Sequence, residues 1–350
     1  MNNITPILIK KRIMKPHKSS ISPELCARNV LTSSHWDFVE LWLKRNEKDE
    51  ALFYWNQAKI FNQASLGLPS LSAPLLHYYS FMNAAKALLS SKGVSFSSHH
   101  GVCKARGDSY TNTDLSTIGV HIKNSGITPS ISNYFCDEDT EIKYSLRDLF
   151  YNLPYIHRTY CLTYQIENDM FIPIKNAQFV RDAPSGNAFF IATLSKDFSY
   201  DGIAEQLPDH FQLYGSNENR EFNIRSSDSI ECTFSECTNS IELDTLSHFH
   251  KRIRKDLFYI NGTETLWYIK GTASMNQQIK RSPITITLAA MHCLSELSRY
   301  NPLKLMDILN GEENWILAEF IQQSPTQFID EISSEITGHQ FLIPNVRSAK

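Results

Sequence analysis

The chain has 350 residues, 42% hydrophobic and 20% charged, with a formal charge of −3 at neutral pH. Such a chain can bury a sizeable core, and its near-balanced charge excludes a whole-molecule field suited to DNA or an acidic membrane. Any contact of that kind must come from a local patch.

No apolar run reaches the length of a membrane span, so no membrane partner is expected. Lys10, Lys11, Arg12, Lys15 and Lys18 follow only a short apolar start, which is not the layout of a secretory signal. The seven cysteines are irregularly spaced, as in a reduced intracellular protein. Cys232 and Cys237 lack the second pair or the histidine that a zinc set requires. A cytoplasmic protein with no metal and no cofactor is the expectation.

Residues 1–35 read as an extended, basic, Ser-rich lead-in with a short strand at Ile7 to Ile9. Ser33 and Ser34 are suited to cap a helix carrying Trp36, Phe38, Val39, Leu41, Trp42 and Leu43, and a second helix is predicted from Asp49 to Ala64. The strongest helical run is Leu75 to Leu89, with Pro74 in its first turn and Gly93 past its end. Its apolar residues cover most of the circumference, as in a helix buried on several sides. Yet Tyr79, Asn83, Lys86 and Ser90 recur at spacings of four, three and four and form one polar line. Either Lys86 snorkels to water, or the line faces a cleft.

From Gly93 to about Tyr134 the chain is polar, around His99, His100 and Gly101. Strands are predicted at Thr159 to Gln165, Ala188 to Leu194, Ile230 to Phe234 and Leu266 to Ile269, with short helices at Leu146 to Asn152 and Tyr200 to Gln206. Asn261-Gly262 is the clearest hairpin signal. Helices return at Ile284 to Arg299, Pro302 to Leu309, Glu312 to Gln322 and Pro325 to Ile336. The expected fold is α+β: helices of 36–92 and 283–338 form one bundle, 93–282 is a polar loop and an inserted antiparallel or mixed sheet region, and 339–350 is a tail.

Three groups of residues could carry chemistry. His292, Glu296 and Arg299 share one face of their helix; Arg299 with Lys86 would contact an anion, and Tyr79, Asn83 and His100 would supply hydrogen bonds in a cleft between the two helices. His248, His250, Lys251, Arg252, Arg254 and Lys255 precede Phe258 and Tyr259, so charge and aromatic rings could meet a phosphate backbone and an unpaired base; a solvated connector would show the same residues. Asp137, Glu138, Asp139 and Glu141 with Lys143 are best explained as a polar acidic loop, since no upstream strand offers a partner carboxylate for a metal. Walker, dinucleotide, Gly-x-Ser-x-Gly and His-Glu-x-x-His patterns are absent from the sequence.

The Leu75–Leu89 helix, His100-Gly101 and the run Leu294-Ser295-Glu296-Leu297-Ser298-Arg299-Tyr300-Asn301-Pro302 resemble the YaaC-like family of bacterial proteins. Leu149 to Tyr164 and Trp267-Tyr268-Ile269 follow that family in the same order, so the resemblance spans the chain from about Trp36 onward. The helical portion is similar to HEPN-type bundles, whose ribonucleases carry an arginine, a polar residue and, four to six residues on, a histidine. Arg28-Asn29 with His35 has that spacing, across a helix start. The resemblance implies an interaction or nucleic-acid-associated component, in phage defence or a stress response. The alternatives are a metal-independent ribonuclease using His100 or His292 with Arg299, and a non-catalytic scaffold. RNA or another nucleic acid, or a protein of the same system, would be the partner; self-association is left open.

Overall fold

The structure is a computed structural model that describes residues 4–105, 114–166, 169–272 and 278–342. Among these, ten α-helices follow one another: α1 (His35–Arg45), α2 (Asp49–Ser65), α3 (Ala73–Ser91), α4 (Ile127–Tyr134), α5 (Leu146–Tyr151), α6 (Pro154–Tyr164), α7 (Ser240–Arg254), α8 (Pro283–Tyr300), α9 (Pro302–Leu309) and α10 (Asn314–Thr337). With several antiparallel and mixed sheets they make an α+β fold. None of the helices is long and apolar enough to cross a membrane. The chain divides into two compact units, one from residues 32–167 and 276–337, the other from 1–31, 168–275 and 338–350.

The first unit is helical, and helices from both ends of the chain build it. α3 is its axis, because a barrel apolar on nearly every side can be satisfied only by neighbours on every side; it packs against α2, α4, α8 and α10. Phe81 is fully buried and stacks on Phe328 of α10 at 4.2 Å. Trp55 of α2 is equally buried and spends its indole N–H on the Trp36 carbonyl. The Ser34 side chain caps α1 by accepting from the Asp37 N–H.

Residues 93–167, expected as the start of the β-rich insertion, belong to this helical unit. They contain only a small antiparallel sheet of Val102–Lys104, Gly119–Ile122 and Lys143–Ser145, together with α4, α5 and α6. The strand expected at Thr159 to Gln165 is α6. Its aromatic and β-branched content favours a strand, but the buried positions Ile156, His157, Tyr160 and Cys161 follow the helical period, and Pro154 and the left-handed Gln165 mark its ends. The two helices expected on either side of Pro325 are the single α10, whose buried residues Phe320, Ile321, Phe328, Ile329 and Ile332 keep one helical stripe across the proline.

The acidic loop has a structural task in this unit. Asp137 accepts from the Ser282 N–H that opens α8 (2.8 Å) and from the Ser132 hydroxyl (2.8 Å). Arg281 donates to Ser132, to the Tyr144 hydroxyl and to the carbonyls of Asp139 and Glu141. Burial pushes the Asp137 carboxyl up from its ordinary range, against these hydrogen bonds, which hold it down.

The second unit is a sheet covered by α7. Its main path runs Phe211–Ser216, Phe222–Glu231, Asn187–Leu194, Phe171–Asp182, Leu266–Lys270, Leu257–Ile260, each pair antiparallel, and Ile4–Pro6 joins alongside Phe171–Asp182. The predicted hairpin is present, with Asn261-Gly262 in the connection between Leu257–Ile260 and Leu266–Lys270. Phe179, Phe190 and Leu194 of the sheet close a core with Leu246, Phe249 and Ile253 of α7. Described residues of the expected lead-in and tail are structural parts of this unit: Val30–Leu31 pairs in parallel with Phe341–Leu342, and the buried Lys18 ammonium donates to the Phe341 carbonyl (2.8 Å) and to Asn261 (2.9 Å).

Phe179 is fully buried between Phe190 and Phe249, so Phe179→Ala should cost about 3–5 kcal/mol in chemical denaturation. Leu31→Ala, at an exposed position of the edge pair, should change stability by no more than about 0.5 kcal/mol.

Candidate functional site

The polar groups of the helical unit converge where α3 passes α8 and the loop before α4. Tyr78 is the hub. Its ring lies edge-on to His292 of α8 (4.9 Å between centroids, 79°), and its hydroxyl is 2.7 Å from Nδ1 of His100. The His100 and His292 rings are 5.5 Å apart. Tyr78 is buried and its hydroxyl has no other hydrogen-bond partner among the described residues, so the arrangement that satisfies its donor gives that proton to Nδ1 of His100. The neutral imidazole then carries its own proton on Nε2, which meets no partner in the described residues. Sequence spacing places a polar line through Tyr79, not Tyr78, which is buried beside it on α3.

The loop bearing His100 is fixed by backbone. Ile127 N–H donates to the His99 carbonyl (2.9 Å), and Thr128 donates to the His100 carbonyl through its N–H (3.1 Å) and its hydroxyl (2.9 Å). These are the first donors of α4, groups without helical partners of their own. The close approach requires glycine: Gly126 has φ +117°, and a Cβ there would lie 2.4 Å from the Gly101 Cα. His99 turns away from His100 and meets the Ser125 carbonyl (3.0 Å).

Two cations, Arg299 and Lys86, and one carboxylate, Glu296, act on His100. Burial, with the charges of His100, Arg299 and Lys123 added to it, holds His292 down to about 3. Burial and then the Arg299 charge also lower His100, with Glu296 acting in the opposite direction and Lys86 in the same one. Both imidazoles are therefore neutral at pH 7. Burial lowers Lys86, whose ammonium lies 5.3 Å from the Tyr54 ring centre and has no carboxylate partner among the described residues. Arg299 donates to Glu296 (2.8 Å) and reaches the Tyr79 hydroxyl at 3.4 Å. Such a pair at the helix surface contributes only about 0.3–0.5 kcal/mol, too little to commit the guanidinium to stability alone.

The structure thus brings Tyr79, His100, His292 and Arg299 of the predicted set into one neighbourhood, and Lys86, further along α3 against Tyr54, is close enough for its charge to act on His100. Asn83 is buried and donates to the Tyr79 carbonyl (2.8 Å), which makes it a support for the backbone of α3. The line through Tyr79, Lys86 and Ser90 also runs along α2: Tyr79 stacks on Phe61 at 5.3 Å, and Ser90 donates to Glu50 (2.7 Å).

The other predicted groups have different tasks. Arg254 in the sheet unit donates to the carbonyls of His17 (3.0 Å), Lys18 (3.1 Å) and Leu257, so it pins two backbone segments and is no free phosphate contact. Arg252 is paired with Asp228 (2.6 Å), and His250 is buried, accepting from the His17 N–H. Lys251 is half-buried on α7. His35 meets the buried Asp330 of α10 (3.1 Å), while Arg28 belongs to the sheet unit. That histidine ties the first helix to the last.

The sequence of residues 19–336 matches the model of a recognised family. The chain belongs to the YaaC-like protein family. No curated protein and no solved structure matches it. For this YaaC-like chain the chemistry must therefore be read from the site itself.

The buried neutral His292 makes stability pH-dependent. An unfolded chain protonates this imidazole below its ordinary value of 6.5, whereas the folded chain resists until about 3, so its contribution is full above pH 6.5 and is lost as pH falls towards 3. The slope is at most about 1.4 kcal/mol per pH unit for each such group. His292→Phe should flatten this acid limb in melting experiments between pH 6.5 and 4, and an unchanged limb would mean that His292 is already protonated in the folded protein.

Proposed function

We propose that the protein is a nucleic-acid-associated binding component whose working surface is the Tyr78–His100–His292 site, with Lys86 and Arg299 as the anion contacts. The single observation that supports this reading is the combination of a half-buried ammonium at Lys86, without a carboxylate partner among the described residues, with a neutral His100 whose Nε2–H is presented by Tyr78. A cation without a carboxylate is costly to desolvate and gains most from an incoming anion. The neutral imidazole adds a fixed donor without adding a second desolvated charge.

A metal-independent ribonuclease is the second reading, favoured by the proximity of two histidines to an arginine. His292, held near 3, is a weak base at pH 7, and an acid–base role would require a bound phosphate to raise it. The Arg254 stretch of α7 is not part of either reading.

Incubation of the full chain with a labelled single-stranded RNA in chelator separates the two. The binding reading predicts intact RNA, an affinity that falls steeply with salt, and a loss of about tenfold or more in Lys86→Ala or Arg299→Ala, with Lys251→Ala near wild type. RNA that is neither bound nor cut would overturn it; cleavage abolished by both His292→Ala and Arg299→Ala would replace it with the ribonuclease.

A further inference from the structure

The anion site continues into an exposed aromatic surface along the same helix. On α8, His292, Glu296 and Tyr300 recur at intervals of four, so Tyr300 lies about 12 Å along the axis from His292, with Arg299 beside it. Tyr300 is 70% exposed, unusual for a large aromatic side chain. The Arg299 guanidinium packs over its ring at 4.4 Å while still donating to Glu296 and reaching towards Tyr79. Leu303, in the first turn of α9, is 69% exposed. A bare inorganic anion would use Lys86, His100 and Arg299 and leave this aromatic and apolar surface in water.

Resting on the anion site described above, we infer that the ligand is a nucleoside phosphate: its phosphate lies between Lys86, His100 Nε2–H and Arg299, and its base stacks on Tyr300. Stacking on an aromatic ring tolerates every base, because each presents a π-face, and an arginine already seated on the ring holds it in place. The same chemistry could be offered by a free mononucleotide or by an unpaired residue of a single strand.

Calorimetric titration of the full chain with adenosine 5′-monophosphate, ribose 5-phosphate and inorganic phosphate tests the inference. The nucleotide should bind about tenfold more tightly than ribose 5-phosphate, and Tyr300→Ala should remove that margin, leave phosphate affinity unchanged and be rescued by Tyr300→Phe. Equal affinities for nucleotide and ribose 5-phosphate, or equal weakening of all three probes by Tyr300→Ala, would overturn the base contact while leaving the anion site standing. Failure of all three probes to bind would overturn the anion site itself. A single-stranded oligoadenylate binding more tightly than the mononucleotide would support the inference and identify a strand as the source, and equal affinity would support it with the free nucleotide as the source.

Discussion

The helical unit depends on the burial of α3 by partners from both ends of the chain. A helix with so few polar positions cannot stand alone in water, and α2 covers only part of it. α8 and α10, some two hundred residues later, supply the rest. That packing brings Tyr78 against His292 and leaves the Tyr78 hydroxyl with His100 as its acceptor. The polar site is thus a by-product of how the apolar barrel is completed: wherever α8 sits, His292 and Arg299 go with it. Burial then does the electrostatic work, keeping two imidazoles neutral beside cations that would otherwise be screened by water.

The elements with a clear period were legible in the sequence. The Leu75–Leu89 run, the helix after Pro283 and the Ala188–Leu194 strand are present because each carries one strong pattern with matching start and stop residues. α6 was not legible, since Thr159, Tyr160, Thr163 and Tyr164 suit a strand by composition, and only the four buried positions at helical spacing outweigh that preference. α7 was hidden for another reason. Its Lys251, Arg252 and Arg254 read as a charged surface, whereas Leu246, Phe249 and Ile253 on its other side close the core of the sheet.

The site was half legible for the same physical reason. Side-chain spacing shows which residues share a helix face, so Tyr79, Lys86, His292 and Arg299 could be named. It does not show which groups a third segment satisfies. Arg254 and Tyr78 illustrate the two errors. Charge suggested a ligand contact at Arg254, although backbone carbonyls take up the guanidinium; an apolar neighbourhood disguised Tyr78, although its hydroxyl sets the proton position of His100. Gly126 belongs with them, because its role is visible only once the Gly101 backbone lies against it.

The most direct test is the protonation state of His100, read by nitrogen-15 NMR of the histidine-labelled protein near pH 7. A completed α3–α8 packing with Tyr78 as donor predicts a neutral ring with its proton on Nε2, and loss of that single tautomer in Tyr78→Phe. An imidazolium at that pH, or a proton on Nδ1, would contradict the account.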